Sequence, residues 1–478
     1  MKKQVLFGIA LLCSAFLSNV RAAEPAVDPA TYAPRGDNGE YTFENKWLYS
    51  AKRGNYNTAA DLIGTAGFVR GMAAKDGKML FIDREKKQIT VVNGETGLKE
   101  APIVLASNIF TYMGKNKAGT ADSMYVAGTL PFNDIKIDNA GNVLLGNCIT
   151  SNLGRFQIWK VNLNDGTGTP VIDQANLATL FPDATIRFDA FGVYGDVNND
   201  AIIMAQNQLA METYKWTITD GVAGDPEVIY IDNVTAGTYL TGMGNPGTAP
   251  QVFPVDENYY YLDGNATYPT LIDMDGNIID GFFNNPSALV DNITSPGESW
   301  SMNQGHNGIA EFQVGDEYFV VMAATNTAGT PPSTFRLFKF ADAGKAFTGI
   351  QCLWTFPQEG MGATSNPYRT AVPSVEVEGN TAKIYAYTGE NGYGVYEFKV
   401  NVSGIKDVKQ AVVKISVDGN KINFLDGPVS TVSVYGVTGQ LVTKATNVES
   451  ITVPKEGVYV VKATTMNGET AIQKVIAK

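Results

Sequence analysis

One pattern recurs six times along this chain of 478 residues: a short strand, a tight polar turn, then a strongly apolar strand. The copies are GMAAKDGKMLFID, DIKIDNAGNVLLGN, FGVYGDVNNDAIIMAQ, VFPVDENYYYLDG, EFQVGDEYFVVMAA and PSVEVEGNTAKIYAYT. Their turns fall about 60 residues apart, a regularity that unrelated hairpins lack. After each hairpin comes a third alternating strand, such as FQIWKVNLNDG or TYKWTITDG, and after five of them a fourth, such as PEVIYID or IQCLWTF. The sixth copy has no fourth strand, and KWLYSA (Lys46–Ala51), ahead of the first hairpin, is free to supply it. Four-stranded units in a closed array make a β-propeller, and borrowing a strand from the far end removes the open edges that a broken ring would expose. The expectation is an all-β chain whose main domain is a six-bladed β-propeller over residues 46–404. Two β-sandwiches are the alternative.

Residues 1–22 read as a secretory signal peptide: Lys2 and Lys3, an apolar run from Val5 to Leu17, then Val20-Arg21-Ala22. No later run is long enough to span a bilayer, so the mature chain is expected to carry no transmembrane segment. Residues 23–45 read as an N-terminal linker. Cys148 and Cys352 fall in different repeats, the second and the fifth, so the expectation is two buried thiols and no bridge.

Composition breaks near residue 405. From there to residue 478 stand nine lysines and six acids, a net of +3, while the stretch between leader and break holds 24 basic and 42 acidic residues. An acidic main domain is repelled by nucleic acid and by anionic lipid, so neither is an expected partner. The last segment alternates about Asp418-Gly419 and folds back at Asn467-Gly468, as a small immunoglobulin-like β-sandwich does. Through VSVYGVTGQLV, GVYVVKA, that turn and the closing QKVIAK, it resembles the C-terminal sorting domain of type IX (Por) secretion cargo. The resemblance implies export from a Bacteroidetes-like bacterium and a role for residues 405–478 in engaging the secretion machinery. The product would then be secreted or held at the outer-membrane surface, or periplasmic if the domain does not sort. The main domain resembles secreted propellers of unknown function from the same bacteria, which implies a fold and no activity.

Polar residues at the starts of the innermost strands would ring one channel mouth. They are Arg70, Asn133 with Asp134, Arg187 with Asp189, Gln251, His306 with Asn307, and Arg369. Arginine forks suit carboxylate, sulfate or phosphate, so the expected function is a binding module for a glycan, a peptide or a partner protein. Pairing of the arginines with acids such as Asp189 is the competing use. His306, the one histidine, is the candidate catalytic residue of the alternative function, a carbohydrate-active hydrolase or lyase. Multi-histidine metal sites are excluded by that count, and Gly-x-Ser-x-Gly is absent.

No cofactor is expected, with calcium as the minor alternative. In GDVNND, Asp196, Asn198 and Asp200 alternate as oxygen ligands do, but Ala201 and Asn207 stand where an EF-hand needs glycine and an acid. A hairpin turn explains the segment. Arg35-Gly36-Asp37 reads as linker, and the sequons at Asn233, Asn265, Asn292 and Asn401 decide nothing without a host. Tyr259 to Tyr261 read as core rather than a sugar platform.

Overall fold

The computed structural model describes residues 39–56, 63–65, 67–111, 114–115, 122–123, 129–232, 246–281, 306–324, 333–401, 413–437, 439–466 and 470–478. The leader, the Arg35–Asp37 tripeptide, the Asn467-Gly468 turn, and the sequons at Asn233 and Asn292 lie outside these residues. The chain divides into two compact units, residues 1–401 and 402–478. The described residues are almost all strand and loop, with one helical turn at Leu177–Leu180. None of their helices is long and apolar enough to cross a membrane.

In the first unit the described strands form six consecutive antiparallel sheets, five of four strands and the third of five, and a two-stranded ribbon of Gly114–Lys115 with Asp122–Ser123. The hairpins turn where the repeat places them, because Asp-Gly, Asn-rich and Gly pairs supply the backbone angles a tight reversal needs. Gly77, Gly315 and Gly379 all take positive φ there. The first strands of the sheets are Met72–Lys75, Thr129–Ile137, Gly192–Gly195, Gln251–Pro254, His306–Val314 and Ala371–Glu378. Each touches the first strand of the next sheet, and the sixth touches the first, so these inner strands close a cycle.

The sixth sheet is completed from the other end of the unit. Tyr41–Ser50 pairs with Gly392–Val400, from Tyr41 opposite Val400 to Ser50 opposite Gly392, with a bulge between Asn45 and Trp47. The strand is longer than KWLYSA, so the linker expected to run to residue 45 stops short of Tyr41. The cause is burial: Tyr41 stacks on Phe398, and Phe43 on Trp354 and Tyr396.

No single core holds this unit. Each seam between neighbouring sheets has its own, such as Leu144, Ile158, Ile203 and Trp216 between the second and third. The sixth and first sheets meet through Tyr385, Tyr387 and Phe81. Glycines let three seams close tightly. A Cβ on Gly192 would sit 2.3 Å from the Val252 carbonyl oxygen, and one on Gly308 would sit 2.2 Å from that of Ala371. On Gly71 it would sit 2.7 Å from the Ile135 nitrogen.

Cys148 and Cys352 are buried free thiols, and burial pushes each up to about 12. Tyr260 and Tyr261 are core residues and Tyr259 is exposed. Beside the seam of the fourth and fifth sheets, Asp263 is fully buried; its Oδ1 accepts from the Gly264 nitrogen at 2.7 Å, and the Gly308 backbone N–H faces the same carboxyl group. Its Oδ2 has no partner, and burial lifts its carboxyl well above the usual carboxylate range.

In the second unit, one sheet holds Ile415–Asp418, Lys421–Phe424 and Ser450–Thr452. The other runs in the order Leu441–Val448, Val429–Gly436, Gly457–Thr465, Thr470–Ala477. Ile422, Val432, Val461 and Ala471 share one apolar cluster between them.

Phe43→Ala should cost about 3–5 kcal/mol, measured as a lower denaturation midpoint, because the closing strand loses its aromatic anchor. Asp263 should make stability fall as pH rises above the ordinary carboxylate range, since the unfolded chain releases a proton that the folded one retains. Asp263→Asn should therefore match the native chain in melting temperature near pH 4 and exceed it near neutrality.

Candidate functional site

Six of the polar residues expected at the channel mouth, Arg70, Asn133, Asp134, Asp189, Gln251 and Arg369, line one narrow cavity of about 30 Å³. Asn133 and Asp134 do not precede their inner strand but lie inside it, because that strand already begins at Thr129 and shifts register between Leu130 and Asp134. Gln251 opens its strand, as do His306 and Asn307. His306 stands opposite Ala324 in the ladder; the side chains of His306 and Asn307 lie outside the described residues.

Asp189 organises the site. Arg187 forks onto it with Nε and one terminal nitrogen, each at 2.8 Å, and this pairing raises the guanidinium above its ordinary value. Arg70 comes within 3.8 Å of the same carboxylate, while the Asp189 carbonyl accepts from Asn133 Nδ2 at 2.6 Å. Arg84 donates in turn to Asn133 Oδ1 at 3.3 Å. Asp134 is engaged as well: it accepts from the Ile135 and Phe191 nitrogens and pairs with Lys136 at 3.3 Å. Cys148 lies behind the fork with its Sγ 3.7 Å from Asp189 Oδ1.

Arg369 differs from its neighbours. It is half-buried, burial lowers its guanidinium from the ordinary value, and it forms no ion pair or side-chain hydrogen bond among the described residues. Its φ of 51° is costly for a residue with a Cβ. Asn366 holds that conformation by clamping the nitrogen and carbonyl of Thr370 with its side chain at 3.1 and 2.8 Å. Beside it, the Tyr368 ring stacks 4.1 Å from the Arg70 guanidinium carbon, whose Nε is buried without a partner. Sequence reasoning missed Asn366, Tyr368 and Arg84. The signals were present, as an Asn-Pro turn and an aromatic beside an arginine, but nothing in the sequence ties Tyr368 to Arg70.

A second and much larger space, about 760 Å³, runs along the inner strands toward the hairpin turns. Sequence reasoning placed no residue there for ligand contact except Gln251. In the GDVNND turn both carboxylate oxygens of Asp196 are taken by N–H donors. Asn198 and Asn142 reach one at 2.9–3.1 Å, and Asn199 reaches the other at 2.6 Å. Those bonds lower the Asp196 carboxyl below its usual range. Among the described residues no three of histidine, cysteine, aspartate and glutamate group as metal ligands do.

Among solved structures, the chain is similar in fold to a DUF4623 family protein from Bacteroides eggerthii DSM 20697, at 14% identity and a TM-score of 0.51. That alignment covers 76% of each chain and speaks to fold alone: this is a β-propeller-like, all-β protein. The PQQ-bound aldose sugar dehydrogenase from Streptomyces coelicolor aligns at 12% identity and a TM-score of 0.36, over 76% of this chain and all of that one. A likeness that loose carries no functional argument. No curated protein matches the sequence. One family does match, over residues 89–349, from the third strand of the first sheet to the end of the third repeat strand's loop in the fifth. That span is more than half of the chain, and the chain belongs to the family described as a domain of unknown function, DUF8500.

Proposed function

We propose that residues 41–400 form a six-bladed β-propeller closed by its N-terminal strand, and that it is an exported binding module for an anionic group. The cycle of inner strands and the borrowed strand of the sixth sheet support the ring. What carries the ligand reading is Arg369, a half-buried guanidinium with no acid beside it among the described residues, aimed by a strained and clamped backbone. Burying such a charge unpaired is unfavourable, and a bound anion relieves it. The cavity has room for one or two water-sized groups, which suits a single carboxylate and not a whole sugar ring. A uronate of an acidic glycan or the free C-terminus of a peptide or partner protein fits that description.

Arg187 has another role in this reading. Its fork holds Asp189, so it orders the wall, and the ligand contacts fall to Arg369 and Arg70. In the second unit, we read residues 405–478 as an immunoglobulin-like sorting domain that directs secretion to, or anchoring at, the cell surface. The two-sheet sandwich around one core supports the fold, and the resemblance of its terminal stretches supports the role.

Two experiments check these readings. On arrays of acidic oligosaccharides and of peptides with free carboxyl termini, Arg369→Ala should weaken binding roughly tenfold to a hundredfold, the size of one charged hydrogen-bonding contact. Arg369→Lys should restore only part of it. Unchanged binding in Arg369→Ala removes the residue from the site, and release of reducing ends that disappears in His306→Ala would make the protein an enzyme. Deleting residues 405–478 should hold the exported chain in the periplasm, read by cell fractionation; normal surface delivery would end the sorting reading.

A further inference from the structure

The large cavity at the hairpin-turn end of the inner strands differs chemically from the arginine well. All six inner strands line it, and its 760 Å³ lies in the range of small-molecule sites. Acids outnumber lysines five to three along its lining, and all are engaged: Asp138 accepts from the Ala140, Asn142 and Val197 nitrogens, Asp256 from those of Asn258 and Tyr259, and each lysine is paired. Lys345 pairs with Glu311 at 2.9 Å, Lys136 with Asp134 at 3.3 Å and Lys75 with Asp76 at 3.4 Å. Glu376 is occupied too, accepting from the Gly77 nitrogen at 3.1 Å and from the Tyr385 hydroxyl at 2.6 Å. An anionic ligand would have to displace an acid from its lysine while facing the carboxylates that remain. Hydroxyl groups face no such penalty, because each can accept from an ammonium and donate to a carboxylate while the pair stays intact. Aromatic surface is also present: Phe253, with Lys136 Nζ 5.9 Å from its ring centre, and the half-buried Tyr194 line the same space. Such rings give the C–H faces of a pyranose a surface to pack on.

We infer that this end of the channel is a second site, which takes an uncharged oligosaccharide of about two to three sugar units, the size its volume admits. It does not depend on the arginine well. The well selects one carboxylate through an unpaired cation, whereas in this space every lysine already has an acid and further carboxylates disfavour an anion.

Four neutral trisaccharides, maltotriose, cellotriose, mannotriose and laminaritriose, together with trigalacturonate, titrated calorimetrically into the full-length secreted chain, test the inference. At least one neutral trisaccharide should bind, and trigalacturonate should not displace it. Phe253→Ala and Tyr194→Ala should each weaken that binding up to about tenfold, the effect of one lost stacking contact, and Arg369→Ala should leave it unchanged. Where Phe253→Ala lowers the melting temperature, the half-buried Tyr194 carries the aromatic test alone, through Tyr194→Ala. The inference fails if none of the four neutral trisaccharides binds. It fails equally if trigalacturonate competes, or if the aromatic variants bind as the native chain does while Arg369→Ala does not.

Discussion

The pairing of Tyr41–Ser50 with Gly392–Val400 is the contact on which the first unit depends. Without it, the sixth sheet would have three strands and an exposed edge of unpaired backbone. With it, Phe43 joins Trp354, Phe356 and Tyr396 in one aromatic cluster that couples the fifth and sixth sheets. The cycle of inner strands then surrounds the larger cavity. Because the apolar cores lie at the seams and not at the centre, the middle of the unit is free for polar side chains and for empty space.

That space is divided by charge. At one end Asp189 is shared between Arg187 and Arg70, and Asp134 is drawn off by Lys136, which leaves Arg369 without an acid among the described residues. At the other end each of Lys75, Lys136 and Lys345 has an acid within 4 Å. Gln251, Ala371 and Val372 border both spaces, so the two environments are separated by little more than a side chain. Opposite chemistries stand so close together because the glycine seams bring neighbouring inner strands into direct backbone contact.

The hairpins were legible because they are local. Asp76-Gly77 or Gly379 flanked by alternating apolar residues dictates a reversal whatever surrounds it. The start of the closing strand was not. Its Glu44-Asn45-Lys46 run is polar and a bulge at Asn45 breaks the alternation, so only the distant partners of Tyr41 and Phe43 reveal it as strand. The mouth residues were found from their place in the repeat, since a repeat fixes which end of each strand they occupy. Their division of labour was not, because Arg187 and Arg369 look alike in sequence and differ only in whether an acid from the same loop reaches them. The lysine–acid end was invisible for a related reason. One pair joins Glu311 to Lys345 across most of a sheet, and the local pairs Lys75–Asp76 and Lys136–Asp134 share a space only once the cycle of inner strands closes.

The borrowed strand also sets a schedule for assembly. Tyr41 emerges early from whatever synthesises or exports the chain, yet its partner Val400 follows only after the other five sheets have passed. Until then the first segment has nowhere to dock, and every sheet already formed belongs to an open arc. The final latch is a contact of very long sequence separation, the kind that slows folding most. The unit therefore cannot lock until nearly all of its residues are available, so closure comes as the last event of its folding and not the first.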